Sequence, residues 1–188
     1  MSLLSGLSAL SHRDVGRLLT PSGLEVVSEL VLFRGVAIFE SYLDAAVSYK
    51  LLKVGGPHPP PFDVIVLQHL EAGSSGWDSR KVTVKLHFDL SVGQFSGWSK
   101  VDAAIAVRNA IAHNLGRLTL RQLGKKPHQK ILDSGFPITG GKIEIDEGLA
   151  KATIVTLAEC VRYCDAFVAP TLHPPTRWGV PSRPGPQP

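Results

Sequence analysis

The stretch Val101-Asp102-Ala103-Ala104-Ile105-Ala106-Val107-Arg108-Asn109-Ala110-Ile111-Ala112-His113-Asn114-Leu115 decides the fold class. It is rich in alanine and holds no proline or glycine before Gly116, and the hydroxyls of Ser96-Gly97-Trp98-Ser99 precede it as a capping signal. Such a run predicts a helix. Ile105, Ala112 and Leu115 are its expected packing stripe, while Asn109 and His113 fall one turn apart and Arg108 lies about 140° from His113.

Working outward, the longest periodic run lies upstream, from Leu24 to Lys53, after Thr20-Pro21-Ser22 and before Gly55-Gly56-Pro57. Leu24, Val27, Leu30, Val31, Ala37, Ile38, Leu43 and Val47 are the apolar face expected of a central helix. A short opening helix is expected over 1–20, and a further helix over Phe62 to Ala72 beyond a proline-rich loop. Val82, Val84, Leu86, Phe88 and Leu90 alternate, which by itself argues for a strand. Downstream, Leu118 to Leu123 reads as a short helical piece, Ile138 to Ile145 as a hairpin around Gly140-Gly141, and Glu147 to Val168 as a last long helix.

These elements predict an all-α fold, a helical bundle of four to six helices with one small hairpin, in a domain covering 1–169. Seven prolines among the nineteen residues 170–188 predict a disordered tail. With 188 residues, 44% apolar and 19% charged, the chain can bury one core and does not have the composition of a disordered protein. The longest apolar stretch, Val31 to Phe39, contains Arg34 and is too short to span a bilayer. The start, Met1 to Thr20, is interrupted by serines and glycines and does not read as a secretory signal, so a soluble, cytoplasmic protein is expected.

The common catalytic spellings are missing. There is no phosphate-binding glycine loop with a following lysine, no H-E-x-x-H, no C-x-x-C and no G-x-S-x-G. Cys160 and Cys164, one helical turn apart, read as two small buried side chains, and no metal or cofactor is expected. His58 and His173 sit in proline-rich contexts, where they are surface residues or part of a proline-motif ligand. One constellation remains: Arg108-Asn109-x-x-x-His113. It suits an ordinary structural helix with an exposed arginine and asparagine and a core histidine, or a site.

The Arg-Asn-x-x-x-His spelling resembles the signature of the HEPN domain superfamily, an α-helical group that includes many toxin, defence and RNA-processing proteins. Phe39-Glu40-Ser41-Tyr42-Leu43, Trp77-Asp78-Ser79-Arg80, Trp98 and Gly141-Lys142-Ile143-Glu144-Ile145 are similar to features of its RiboL-PSP-type branch. The likeness spans Leu24 to Val168 and favours a helix over Ser75 to Leu90, against the alternation. It implies a metal-independent endoribonuclease in which the motif helices of a homodimer face each other across one cleft. Its partners would be RNA and an antitoxin or other neighbouring-gene protein, and its role that of a toxin or phage-defence effector. In one variant of the family a tyrosine lies two residues after the histidine and is modified by a partner nucleotidyltransferase; Leu115 stands there in this chain.

The chemistry fits such a reading. Cleavage by the RNA's own 2′-hydroxyl needs a base, an acid and cations around the phosphate. Histidine exchanges protons near neutral pH, which makes His113 the candidate acid–base group. Arg108 would hold the phosphate, and Asn109 would orient His113 or the phosphate by hydrogen bonding. Glu40, a carboxylate in an apolar stretch, would need a partner such as Arg108 or a backbone amide. Arg117, Arg121 and Lys125 would form one basic stripe if their stretch is helical, joined by Lys126 and Lys130, and would follow an RNA backbone; a solvated face is the alternative. Between Ala103 and Leu132 there are six basic residues and no acidic one, so within a total of +4 the remainder of the chain is acidic by two charges. The alternative function is a non-catalytic HEPN-like module that binds nucleic acid or a partner.

Overall fold

A computed structural model of the chain describes residues 23–54, 61–119 and 122–172. The expected opening helix, His58, Arg121, His173 and the tail from 173 onward lie outside them. The described residues form an all-α fold, with helices α1 (Gly23–Tyr49), α2 (Phe62–Ser74), α3 (Trp77–Phe88), α4 (Trp98–Asn114), α5 (Lys126–Asp133) and α6 (Glu147–Leu172). A π-helical turn, Lys50–Val54, extends α1, and a 3-10 turn, Val92–Gln94, precedes α4. Strands β1 (Ile138–Thr139) and β2 (Lys142–Ile143) make one antiparallel hairpin, in which Ile138 pairs with Ile143 and Thr139 with Lys142.

Contacts divide the described residues into two units, one within the ranges 23–42 and 93–161, the other within 43–92 and 162–172. In the first, Leu32, Val36 and Phe39 of α1 are buried, as are Val101, Ala104, Ile105 and Val107 of α4. Gly35 permits the close approach of α1 to α6: a Cβ there would lie 2.2 Å from Ile154 Cδ1. The hairpin fastens the exit of α4, since Leu118 N–H donates to Gly141 O (2.8 Å), Ile143 N–H donates to Gly116 O (2.9 Å), and Arg117 bridges Lys142. Gly140 and Gly141 supply the positive φ values, 56° and 80°, that such a two-residue turn requires.

In the second unit α2 and α3 pack together, and Arg80 of α3 is the main polar anchor. Its Nε and Nη2 donate to the two oxygens of Asp44 at 2.8 and 2.9 Å, Nη2 also reaches Ser74 O, and the guanidinium stacks over Trp77. The bidentate pair matters because the arginine is buried while the aspartate is about a third exposed.

Several expectations need correction. The buried row of α1 is Ser28, Leu32, Val36, Phe39, Leu43, Ala46 and Val47, whereas Val27, Leu30, Val31 and Ile38 are 42–61% exposed. The apolar residues of α1 are too evenly spread for spacing alone to choose the phase. On α4, Ile105 is buried, but Ala112 and Leu115 are exposed. Leu115 is already past the helix, capping it at φ 50° in the left-handed region. The expected helix at Leu118 to Leu123 is absent from its described residues: Gly116 to Leu118 runs beside β2, and the chain turns at Thr119, whose O accepts from Gln122 N–H. Short helix α5 follows instead, begun by Lys126-Pro127. The final helix continues through Pro170 to Leu172, slightly beyond the start of the expected tail.

Over Ser75 to Leu90 the helix wins over the alternating pattern. Val84 and Phe88 are buried one turn apart, and Val82 and Leu86, each 68% exposed, form a second row on the opposite side. Truncation should report this phase in urea denaturation. Val84→Ala is expected to cost about 2 kcal/mol and Val82→Ala less than about 0.5 kcal/mol; equal losses would contradict the packing.

Candidate functional site

Helix α4 carries the motif, with Val101, Ala103, Ala104, Ile105, Val107 and Ala110 buried. Asp102, Ala106, Asn109 and His113 follow at intervals of four, three and four residues and form one stripe outside the core, in which Asn109 and His113 are exposed. Arg108 lies off this stripe, about 100° from Asn109, on the side that meets α1.

There its charge is satisfied. Arg108 Nη2 lies 3.1 Å from Glu40 Oε2, with the two side chains 26% and 13% exposed. The guanidinium carbon is 5.3 Å from the centroid of Phe33, and Nη1 donates to Asn109 Oδ1 at 3.0 Å. Nε is buried and has no hydrogen-bond partner among the described residues. Since a guanidinium offers five N–H donors, these bonds leave Nη hydrogens for a ligand. Asn109 is thus bonded to Arg108, and the imidazole of His113 stands exposed one turn further on. The expected Glu40–Arg108 partnership is present. Phe33, one helical face with Glu40 at a spacing of seven, had no distinguishing signal in an apolar run.

The end of α4 is shaped by charge and turn geometry. Gly116 N–H closes back to Ala110 O at 3.1 Å, and Glu29 Oε1 lies beside Gly116. Burial raises the Glu29 carboxyl above its ordinary pKa; Lys142 pulls it down and Glu25 pushes it up. Lys142 itself pairs with Glu25 at 3.5 Å.

The basic residues are distributed differently from the expected stripe. Arg117 is exposed beside the hairpin, with Nη1 3.5 Å from Gly140 O, while Lys125 is the N-cap of α5 and Lys126 its first residue. Both lysines are exposed, but no single helix carries them with Arg117. Lys130 is paired with Asp102 of α4 at 2.5 Å. Lys126 and Lys130 line a groove of about 700 Å³ with Phe95, Trp98, Gln129 and Asp133. Among the described residues no group of three or more histidine, cysteine, aspartate or glutamate side chains is arranged to hold a metal ion. Cys160 and Cys164 are both fully buried.

Comparisons of the chain with protein-family models, with curated proteins and with solved structures each find no match. The chemistry of the site therefore rests on its own residues.

The half-buried ion pair has a distinctive energetic signature. Glu40→Ala, which strands the Arg108 charge, is expected to cost about 3 kcal/mol, whereas replacing both partners by methionine should restore most of that loss. Chemical denaturation of the two variants checks this, and a double variant less stable than Glu40→Ala would contradict it.

Proposed function

We propose that the chain is a HEPN-type endoribonuclease that cleaves RNA without metal, using Arg108, Asn109 and His113. The observation that carries the reading is the placement of Arg108, Asn109 and His113 on α4, with Arg108 held by Glu40 and His113 exposed. A base takes the proton of the 2′-hydroxyl, the resulting oxygen attacks the adjacent phosphorus, and an acid returns a proton to the departing 5′-oxygen. A strand with a 2′,3′-cyclic phosphate and one with a 5′-hydroxyl result. The free Nη hydrogens of Arg108 would bind the non-bridging oxygens, whose charge grows in the transition state. Glu40 acts as its positioning residue.

One chain brings a single motif histidine, so the base and acid roles are divided between two copies in a homodimer. Arg117, Lys125 and Lys126 are exposed charges available to an RNA backbone; Arg121 belongs to the same proposed set. No described helix is long and apolar enough to cross a membrane. The proposed setting is the cytoplasm, where the enzyme acts as a toxin or phage-defence effector restrained by an antitoxin or other neighbouring-gene protein.

A second reading has its own observation. Glu40 neutralises Arg108 and Asn109 occupies part of its fork, an arrangement that also suits a non-catalytic module binding nucleic acid or a partner. Cleavage of RNA in EDTA separates the two. Wild type should cut, and His113→Ala and Arg108→Ala, each shown to be folded, should each cut at least about 100-fold more slowly. Activity unaffected by either motif substitution would refute the catalytic reading; no cleavage by a folded wild-type dimer would favour the binding module.

A further inference from the structure

Helices α2 and α3 pack together on either side of a short connection, and one seam joins them in two steps. Next to the connection Gly73 lets the helices touch: a Cβ there would lie 2.7 Å from Thr83 Oγ1. One turn further along each helix, four residues before Gly73 and four after Thr83, stand His69 and His87. Their rings share a hydrogen bond, Nε2 to Nε2 at 3.0 Å, with centroids 5.2 Å apart and planes at 78°. Both side chains are half-buried, and neither belongs to the motif or to the basic set.

An imidazole pair holds this bond in only some protonation states. With both rings neutral, one Nε2–H donates to the lone pair of the other Nε2; with one ring an imidazolium, that ring donates and the neutral one still accepts. With both rings protonated, neither Nε2 has a lone pair, and two N–H groups of like charge face each other. The bond is then lost.

We propose that the His69–His87 hydrogen bond is an acid-sensitive latch on the α2–α3 seam, closed while at least one ring is neutral and released when both are protonated. Burial, then the neighbouring His69, then Lys50, hold His87 below the ordinary histidine pKa. Lys50, on the turn after α1, donates to the His87 backbone carbonyl and lies 4.9 Å from the Phe88 ring centroid, so a third positive charge stands near the pair. The neighbouring carboxylates are engaged elsewhere: Asp78 pairs with Lys81, Asp89 with Lys85 and Asp44 with Arg80, while Asp63 accepts from Val64 N–H. Glu71, two residues beyond His69, lies about 200° round α2 and lines a cavity with Ser74 and Arg80. Because the folded pKa of His87 lies below that of an unfolded chain, the closed seam binds fewer protons than the open one. Its stabilisation is complete well above about pH 6.5 and declines as pH falls below that value. The latch is independent of the proposed cleavage chemistry.

Hydrogen exchange of the full-length chain at about pH 8 and about pH 5, corrected for the intrinsic pH dependence of exchange, tests the latch. In wild type the α2 and α3 amides around His69 and His87 should lose protection at least about tenfold in acid, relative to those of α4. His69→Gln and His87→Gln each remove one titrating ring and should reduce that loss to less than about threefold. An undiminished loss in the variants, or none in wild type, would overturn the latch. If a variant fails to fold, nuclear magnetic resonance of the wild-type ring nitrogens decides. One protonated and one unprotonated Nε2 in the alkaline sample, with protection falling as the second becomes protonated, support the latch; two protonated Nε2 atoms with protection intact overturn it.

Discussion

Arg108 enters the fold half-buried from helix α4, and the Glu40 carboxylate at 3.1 Å makes that position tolerable. An unpaired guanidinium there would forfeit hydration without compensation. The pair has a structural consequence: it couples the α1 phase that buries Leu32, Val36 and Phe39 to the rotation of α4 that leaves Asn109 and His113 outside the core. Stability and candidate chemistry thus meet in one contact. The same ion pair that orients Arg108 also reduces its charge, so the strength of phosphate binding depends on the donors that Glu40 and Asn109 leave over.

The elements with strong local instructions were legible in the sequence. Alanine content and the absence of breakers marked α4, and Gly140-Gly141 marked a turn whose positive φ values the structure contains. The face of α1 was harder to read. Apolar side chains occupy so much of its circumference that burial was selected by tertiary partners, including the close approach of Gly35 to Ile154, and the buried row even includes Ser28. The alternation in α3 was deceptive for a geometric reason: a period of two contains rows spaced by four, so Val84 with Phe88 and Val82 with Leu86 satisfy a strand and two sides of a helix equally.

At the site, residue identity and short spacing carried further than long-range arrangement. Glu40 was recognisable as a carboxylate in apolar surroundings, and its pairing with Arg108 follows from the cost of burying either charge alone. The proposed stripe through Arg117 and Lys125 rested on helical continuity. The hairpin instead draws the chain after Gly116 into extended pairing, and Lys125 begins a different helix. The charge window in the sequence was real, but its geometry depended on a tertiary partner that no local pattern specified. The hydrogen bond between the rings of His69 in α2 and His87 in α3 is similarly non-local, created by two packed helices from residues eighteen positions apart.

The chemistry of the ends produced from a defined RNA by the full-length protein in EDTA is the most direct test of the central claim. Attack by the 2′-hydroxyl predicts a 2′,3′-cyclic phosphate upstream and a 5′-hydroxyl downstream, with both losing intensity together in His113→Ala. Products bearing a 3′-hydroxyl and a 5′-phosphate, or cyclic phosphate formed equally well without His113, would contradict the assignment.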